Sequence, residues 1–188
     1  HTEYPTVAAM TTGITQKSLL ISVGNTPLLE IEGLTPALKR VSLRAKAEWH
    51  NPGGSVKDRA ALRIIQEAER DGRLTAGKTL LDATSGNTGI AYSWICARLG
   101  TPVVLAVPRS INPERRALLE SYGARLILTD PLEGSDGAIR EARRLAAERP
   151  DSFFYADQYN NPANWRAHFD GTAREIHEQT KGAVTHFV

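Results

Sequence analysis

Apolar and polar positions along this chain follow two periods in alternation. Thr79–Ala83, Pro102–Val107, Arg125–Thr129 and Phe153–Ala156 are short apolar or alternating runs of strand length. Between them the spacing turns helical. In Lys57–Asp71 the residues Ala61, Ile64, Ile65 and Ala68 fall on one helical face, with Ser55 placed to cap it. Thr88–Leu99 predicts an apolar helix closed by Gly100, and Asn112 caps a helix that begins at Pro113 and ends at Gly123. Ser135–Glu148 and Ala163–Gln179 predict two more helices. Val41–Trp49 alternates as a strand ahead of the first helix, and Ala183–Val188 opens another at the end. Short strands separated by longer helices call for a parallel sheet covered on both faces, an α/β fold of the doubly wound kind.

Composition narrows the picture. The 188 residues are 41% hydrophobic and 23% charged, ordinary globular usage that excludes wholesale disorder. Lys and Arg number 23 against 21 Asp and Glu, and a net charge of +2 argues against a nucleic-acid or anionic-membrane partner. No apolar run approaches the roughly 18 residues of a membrane span. The single cysteine, Cys96, forbids an intrachain disulfide framework and fits a reducing, cytoplasmic setting. Set in an apolar helix, it reads as a core residue. Trp49, Trp94 and Trp165 read as packing anchors. His50, His168, His177 and His186 lack metal-ligand spacing, so no metal site is expected and surface or packing roles are.

Three strand-to-helix turns carry the candidate chemistry. In Asn51-Pro52-Gly53-Gly54-Ser55-Val56-Lys57-Asp58-Arg59 a tight turn delivers Lys57 to the first turn of a helix. The partly positive helix end destabilises an ammonium there, which suits a nucleophilic or Schiff-base lysine; the plainer alternative is a solvated surface lysine. Thr84-Ser85-Gly86-Asn87-Thr88-Gly89 offers hydroxyls, an amide and unhindered N–H groups at a helix start, a cradle for a carboxylate or phosphate. An ordinary capped turn would use the same residues. Gln158, in Asp157-Gln158-Tyr159-Asn160-Asn161-Pro162, follows a strand at the same sheet edge, where open α/β sheets bind ligands.

Taken together, Asn51–Arg59, Thr84–Gly89 and Gln158 with Asn161-Pro162-Ala163-Asn164 resemble the cysteine synthase family, fold-type II pyridoxal-phosphate enzymes that also include cystathionine β-synthase. The resemblance runs from Gly24-Asn25-Thr26-Pro27-Leu28 to Val188. Pro113-Glu114-Arg115-Arg116, Tyr122-Gly123-Ala124 and Thr185-His186-Phe187-Val188 look most like the B-type enzymes, the O-acetylserine sulfhydrylases. The resemblance implies the cofactor pyridoxal 5′-phosphate, held by Lys57 as an internal aldimine with Asn87 bonded to its ring hydroxyl. Thr84, Ser85, Asn87, Thr88 and Gln158 would bind the substrate α-carboxylate. The implied reaction is a β-replacement in which O-acetyl-L-serine, or a related activated serine, and sulfide give L-cysteine through an α-aminoacrylate intermediate. Cystathionine β-synthase chemistry on serine and homocysteine is the enzymatic alternative, and a non-catalytic module needing a second polypeptide is the other. A homodimer is implied too.

The resemblance also divides the chain. Residues 1–39 would pack on the larger domain, 40–160 would form the smaller domain bearing both loops, and 161–188 would begin the larger one. The family's phosphate-binding cup should follow Val188, so the chain is expected to be an N-terminal fragment, inactive alone. Asp82-Ala83 stands where the family commonly has Glu-Pro.

Overall fold

The computed structural model describes residues 19–32 and 41–188. Part of the expected 1–39 segment and its boundary lie outside the described residues. The chain builds a four-stranded parallel sheet from β3 (Thr79–Ala83), β4 (Val103–Pro108), β5 (Arg125–Thr129) and β6 (Phe153–Tyr155) in the order β5-β4-β3-β6. Two shorter strands, β1 (Leu28–Glu30) and β2 (Arg44–Lys46), pair antiparallel and apart from that sheet.

Period two decides which face each strand residue serves. Val103, Leu105 and Val107 of β4 enter one apolar cluster, while Val104 and Ala106 enter the other. The first cluster takes Ala61, Ile64, Ile65 and Ala68 from α1 (Lys57–Arg70), Tyr92 and Ile95 from α2 (Asn87–Leu99), and Leu119 from α3 (Pro113–Ser121). The second is closed by Ala138 and Ala142 of α4 (Gly134–Glu148). Helices therefore cover both faces, as the alternation predicts. The predicted helix stops recur: Gly100 adopts φ 71° and Gly123 φ 84°, a left-handed turn that favours glycine, and the Asn112 side chain accepts from Glu114 N and Arg115 N.

Four expectations change. The strand expected over Val41–Trp49 shrinks to Arg44–Lys46 and joins β1, because the chain turns at Ala47 into a single 3₁₀ turn, Glu48–His50. That turn sends Lys46 and Glu48 into a buried ionic cluster described below. The helix expected over Ala163–Gln179 is α5 (Pro162–Ala167), a π-helical stretch (His168–Ala173) and α6 (Arg174–Thr180). No strand forms over Ala183–Val188; no described strand stands beside it to take its backbone hydrogen bonds. Trp94 is buried, but Trp49 and Trp165 are 61% and 58% exposed. Their contacts are local: Trp49 leans on His50, and Trp165 meets Phe169 edge-on.

Candidate cofactor and substrate site

The lysine turn is built from the inside outward. Asn51 is buried; its Oδ1 accepts from Gly24 N at 2.8 Å, and its amide donates to the Glu48 carbonyl and carboxylate. Gly54 N then closes the turn on the Asn51 carbonyl. Gly53 N donates to the Asp58 carboxylate, which also accepts from Trp94 Nε1 at 3.0 Å. A Cβ at position 53 would collide with the Asp58 carboxylate and the Trp94 indole, so the turn requires glycine here. Burial pushes the Asp58 carboxyl above the usual range, against the pull of those two donors. These contacts tie the turn to α2.

Lys57 opens α1 half-buried, with its own N–H on Ser55 Oγ at 3.2 Å. Ser55 thus braces the helix start, although Val56 holds the capping position. Among the described residues the Lys57 ammonium has no hydrogen-bond or ion-pair partner. His168, half-buried with its Nδ1 3.1 Å from Thr172 Oγ1, is pushed down by burial and by the nearby charges of Lys57 and Arg59.

Two residues past Lys57, Arg59 anchors the whole corner. Its side chain is 5% exposed and grips Glu48 through Nε (2.8 Å) and Nη2 (2.9 Å), and Glu175 through Nη1 (2.6 Å) and Nη2 (2.8 Å). Glu175 takes Lys46 Nζ and Asn25 N as well. Those donors and the Arg59 charge hold the Glu175 carboxyl down to about 2 although burial acts to raise it. Thr26 Oγ1 donates to Glu48, and Asn25 is held at φ 47°. One guanidinium so joins β2, the lysine turn, the Gly24–Thr26 segment and α6.

The second turn runs off the end of β3. Thr84 and Ser85 are half-buried, Asn87 is exposed, and Thr88 and Gly89 are buried. Gly86 occupies the N-cap of α2 with extended backbone, and no side chain caps the helix. By contrast Asn112, Asp130 and Asn161 cap the three helical starts that follow them. Among the described residues the first-turn N–H groups of α2 thus lack a side-chain acceptor, as do those of α4, and the N-cap residue of α1 caps nothing with its side chain. A Cβ at Gly89 would stand 2.9 Å from the Thr84 carbonyl, so glycine lets the helix seat directly on the turn.

Gln158 meets the end of β3 where that turn begins. It is buried, its Nε2 donates to the Ala83 carbonyl (3.3 Å), and its N–H reaches Asp82 Oδ2 (3.3 Å). Asn164 Nδ2 holds the Gln158 carbonyl at 2.7 Å, and the preceding Asp157 sits at φ 45°, a strained left-handed position for a non-glycine. Gln158 is thus bonded to the end of β3 from which Thr84, Ser85, Asn87 and Thr88 follow. Asp58, the neighbour of Lys57, bonds Trp94, so the lysine turn is tied to α2, while the Lys57 side chain itself bonds none of these residues.

The matches to known proteins agree with this geometry. The profile of the family described as "Pyridoxal-phosphate dependent enzyme" matches residues 19–188. The chain belongs to that family. Within this pyridoxal-phosphate dependent enzyme family, the chain is 50% identical over 175 residues to a cysteine synthase of Aquifex aeolicus, covering 92% of the chain and 54% of that protein. It is 45% identical over 167 residues to cysteine synthase B of Salmonella typhimurium, covering 89% of the chain and 54% of that protein. A cysteine synthase (OASS) structure from Entamoeba histolytica superposes with a TM-score of 0.85 at 39% identity, over 97% of the chain and 54% of its own. The chain spans about half the length of the curated relatives it matches.

The residues present suit the family's cofactor. A lysine amine without an ion-pair partner among the described residues, and a helix start without a described side-chain cap, fit an aldehyde cofactor and an amino-acid carboxylate. Sequence reasoning quotes Arg59 and Asp82 without giving them a role, and it misses Glu48 and Glu175. The one legible signal was an acid, Asp82, inside the apolar run Leu80–Ala83.

Proposed function

We propose that the protein forms L-cysteine from O-acetyl-L-serine, or a closely related activated serine, and sulfide by β-replacement. The observation that carries this reading is the uncapped α2 N-terminus, which follows the β3 end that bonds Gln158 and whose helix is tied by Trp94 to the lysine turn. Lys57 Nζ would hold pyridoxal phosphate, and Asn87 would hydrogen-bond it. Thr84, Ser85, Asn87, Thr88 and Gln158 receive the substrate α-carboxylate, aided by the dipole of α2. When bound, the cofactor supplies an electron sink for the substrate Cα. Lys57 Nζ would take the substrate Cα proton and return it to Cα once acetate has left Cβ and sulfide has added there.

The names of the relatives favour this over serine and homocysteine as substrates, and over a non-catalytic module. The family resemblance further supports a homodimer, and a smaller domain over 40–160 flanked by 1–39 and 161–188 of a larger one; the single cysteine supports a cytoplasmic setting. Borohydride reduction followed by peptide mapping is the direct test. Label on Lys57, with cysteine formed from O-acetylserine and sulfide, is the expected result. Label elsewhere or none, or turnover only with homocysteine, overturns it.

A further inference from the structure

The centre of the parallel sheet holds an acid without a cation. Asp82 is 1% exposed on β3, the strand flanked by β4 and β6, and no described basic side chain pairs with it. Its two oxygens divide their work. Oδ1 accepts from Ala83 N at 2.8 Å, where the chain enters the Thr84–Gly89 turn, and Oδ2 accepts from Gln158 N at 3.3 Å. Gln158 Nε2 returns to the Ala83 carbonyl. The third neighbour is the Tyr92 hydroxyl of α2, fully buried, near enough to feel the carboxylate charge yet outside hydrogen-bond geometry and without another partner.

The chemistry explains why a carboxylate stands here. Two acceptor oxygens on one carbon can take one N–H from each of two loops; an amide has a single acceptor and would turn its NH₂ toward the other N–H. A buried, unpaired carboxylate costs the fold stability, so a neutral residue would serve a purely structural strand better. Asp82 lies beneath both loops assigned above to the substrate carboxylate.

We propose that Asp82 is a positioning residue: it sets the separation between the Thr84–Gly89 turn and Gln158, and through them the fit of the substrate α-carboxylate. This rests on the reading given under Proposed function. The groups facing Asp82 are Tyr92 from α2 and Asp157 and Tyr155 from the β6 end. Burial first, and then the Asp157 charge, push Asp82 up to about 6, against the lowering effect of the Ala83 and Gln158 N–H groups and of the nearby Tyr92 hydroxyl. Protonation of either oxygen removes an acceptor and loosens one loop.

The test uses Asp82→Asn and Tyr92→Phe in the holoenzyme. Borohydride labelling of Lys57 is read first in the unmutated protein, so that failure of the underlying reading is seen separately. Asp82→Asn is expected to raise KM for O-acetyl-L-serine about tenfold while kcat moves less than about threefold, the pattern of lost binding rather than lost chemistry. The unmutated enzyme should lose affinity as pH falls through about 6, and Asp82→Asn should be flat there. A second reading needs no turnover: amide exchange at Gln158 should quicken about tenfold in Asp82→Asn with β5 unchanged. Tyr92→Phe, which keeps both loop bonds, should match the unmutated KM. An unchanged KM, an unchanged pH profile or unchanged Gln158 exchange in a folded Asp82→Asn protein overturns the proposal.

Discussion

Removing the Arg59 guanidinium tests how the lysine turn is held. Arg59→Met keeps an unbranched stem but removes the guanidinium that Glu48 and Glu175 share, leaving Glu48 with Thr26 and Asn51 and Glu175 with Lys46 and Asn25 N. Three of the side chains are nearly closed to water: Arg59 is 5%, Lys46 8% and Glu175 13% exposed. Removing one member of a buried pair costs about 3–5 kcal/mol, because the remaining charge stays desolvated. Arg59→Lys keeps the charge but cannot span two carboxylates with a planar fork, so its cost should be smaller, about 1–3 kcal/mol. Chemical denaturation at neutral pH measures both.

The pH dependence adds a sign that packing alone would not give. Glu175 is held down to about 2 from an ordinary 4.5, mainly by its bonds to Arg59 and Lys46 working against desolvation. A depressed acid contributes stability that is full above 4.5 and lost as pH falls toward 2. After allowance for solvent screening that contribution is about 2 kcal/mol. In Arg59→Met the acid limb of the stability profile should flatten over this window. A double-mutant cycle with Glu175→Gln should return a coupling of about 1.5 kcal/mol or more. If Arg59→Met loses less than about 1 kcal/mol and keeps the same acid limb, the cluster is not what secures the lysine turn.

Gly89→Ala forces a methyl to 2.9 Å from the Thr84 carbonyl, so α2 or the turn must shift. A loss of about 1–3 kcal/mol in thermal unfolding and a chemical-shift change at Thr84 are expected; a neutral substitution would mean that the helix does not seat on the turn. Cys96 is fully buried and its thiol is pushed up to about 12 by burial. Thiol reagents at neutral pH should label it only after unfolding, at a rate that tracks the denaturation curve.

Local pattern made most elements legible. The boundaries of Thr79–Ala83 and Arg125–Thr129 coincide with their apolar runs, and Asn112, Gly100 and Gly123 stop and start helices as their side-chain chemistry requires. The three chemical turns were legible as well, since glycine, serine and asparagine before a helix signal both geometry and donors. Elements that depend on distant partners were misjudged. Val41–Trp49 alternates like a strand, yet the pull of Glu48 and Lys46 toward Arg59 and Glu175 turns the chain at Ala47. Trp49 and Trp165 carry apolar area, but nothing in their own neighbourhood of sequence reports whether another element will cover it.

The sequence alone therefore determined the alternation of strands and helices, the lysine, asparagine and glutamine turns, and the family. The tertiary structure decided which strands adjoin, placing β3 between β4 and β6, and brought Asp82 within reach of Gln158, 76 residues away. It also joined Arg59 to Glu175 across 116 residues. The division has one cause. Backbone propensity and side-chain period act within a few residues, whereas a buried charge takes its partners from whatever segment the packed sheet carries to it.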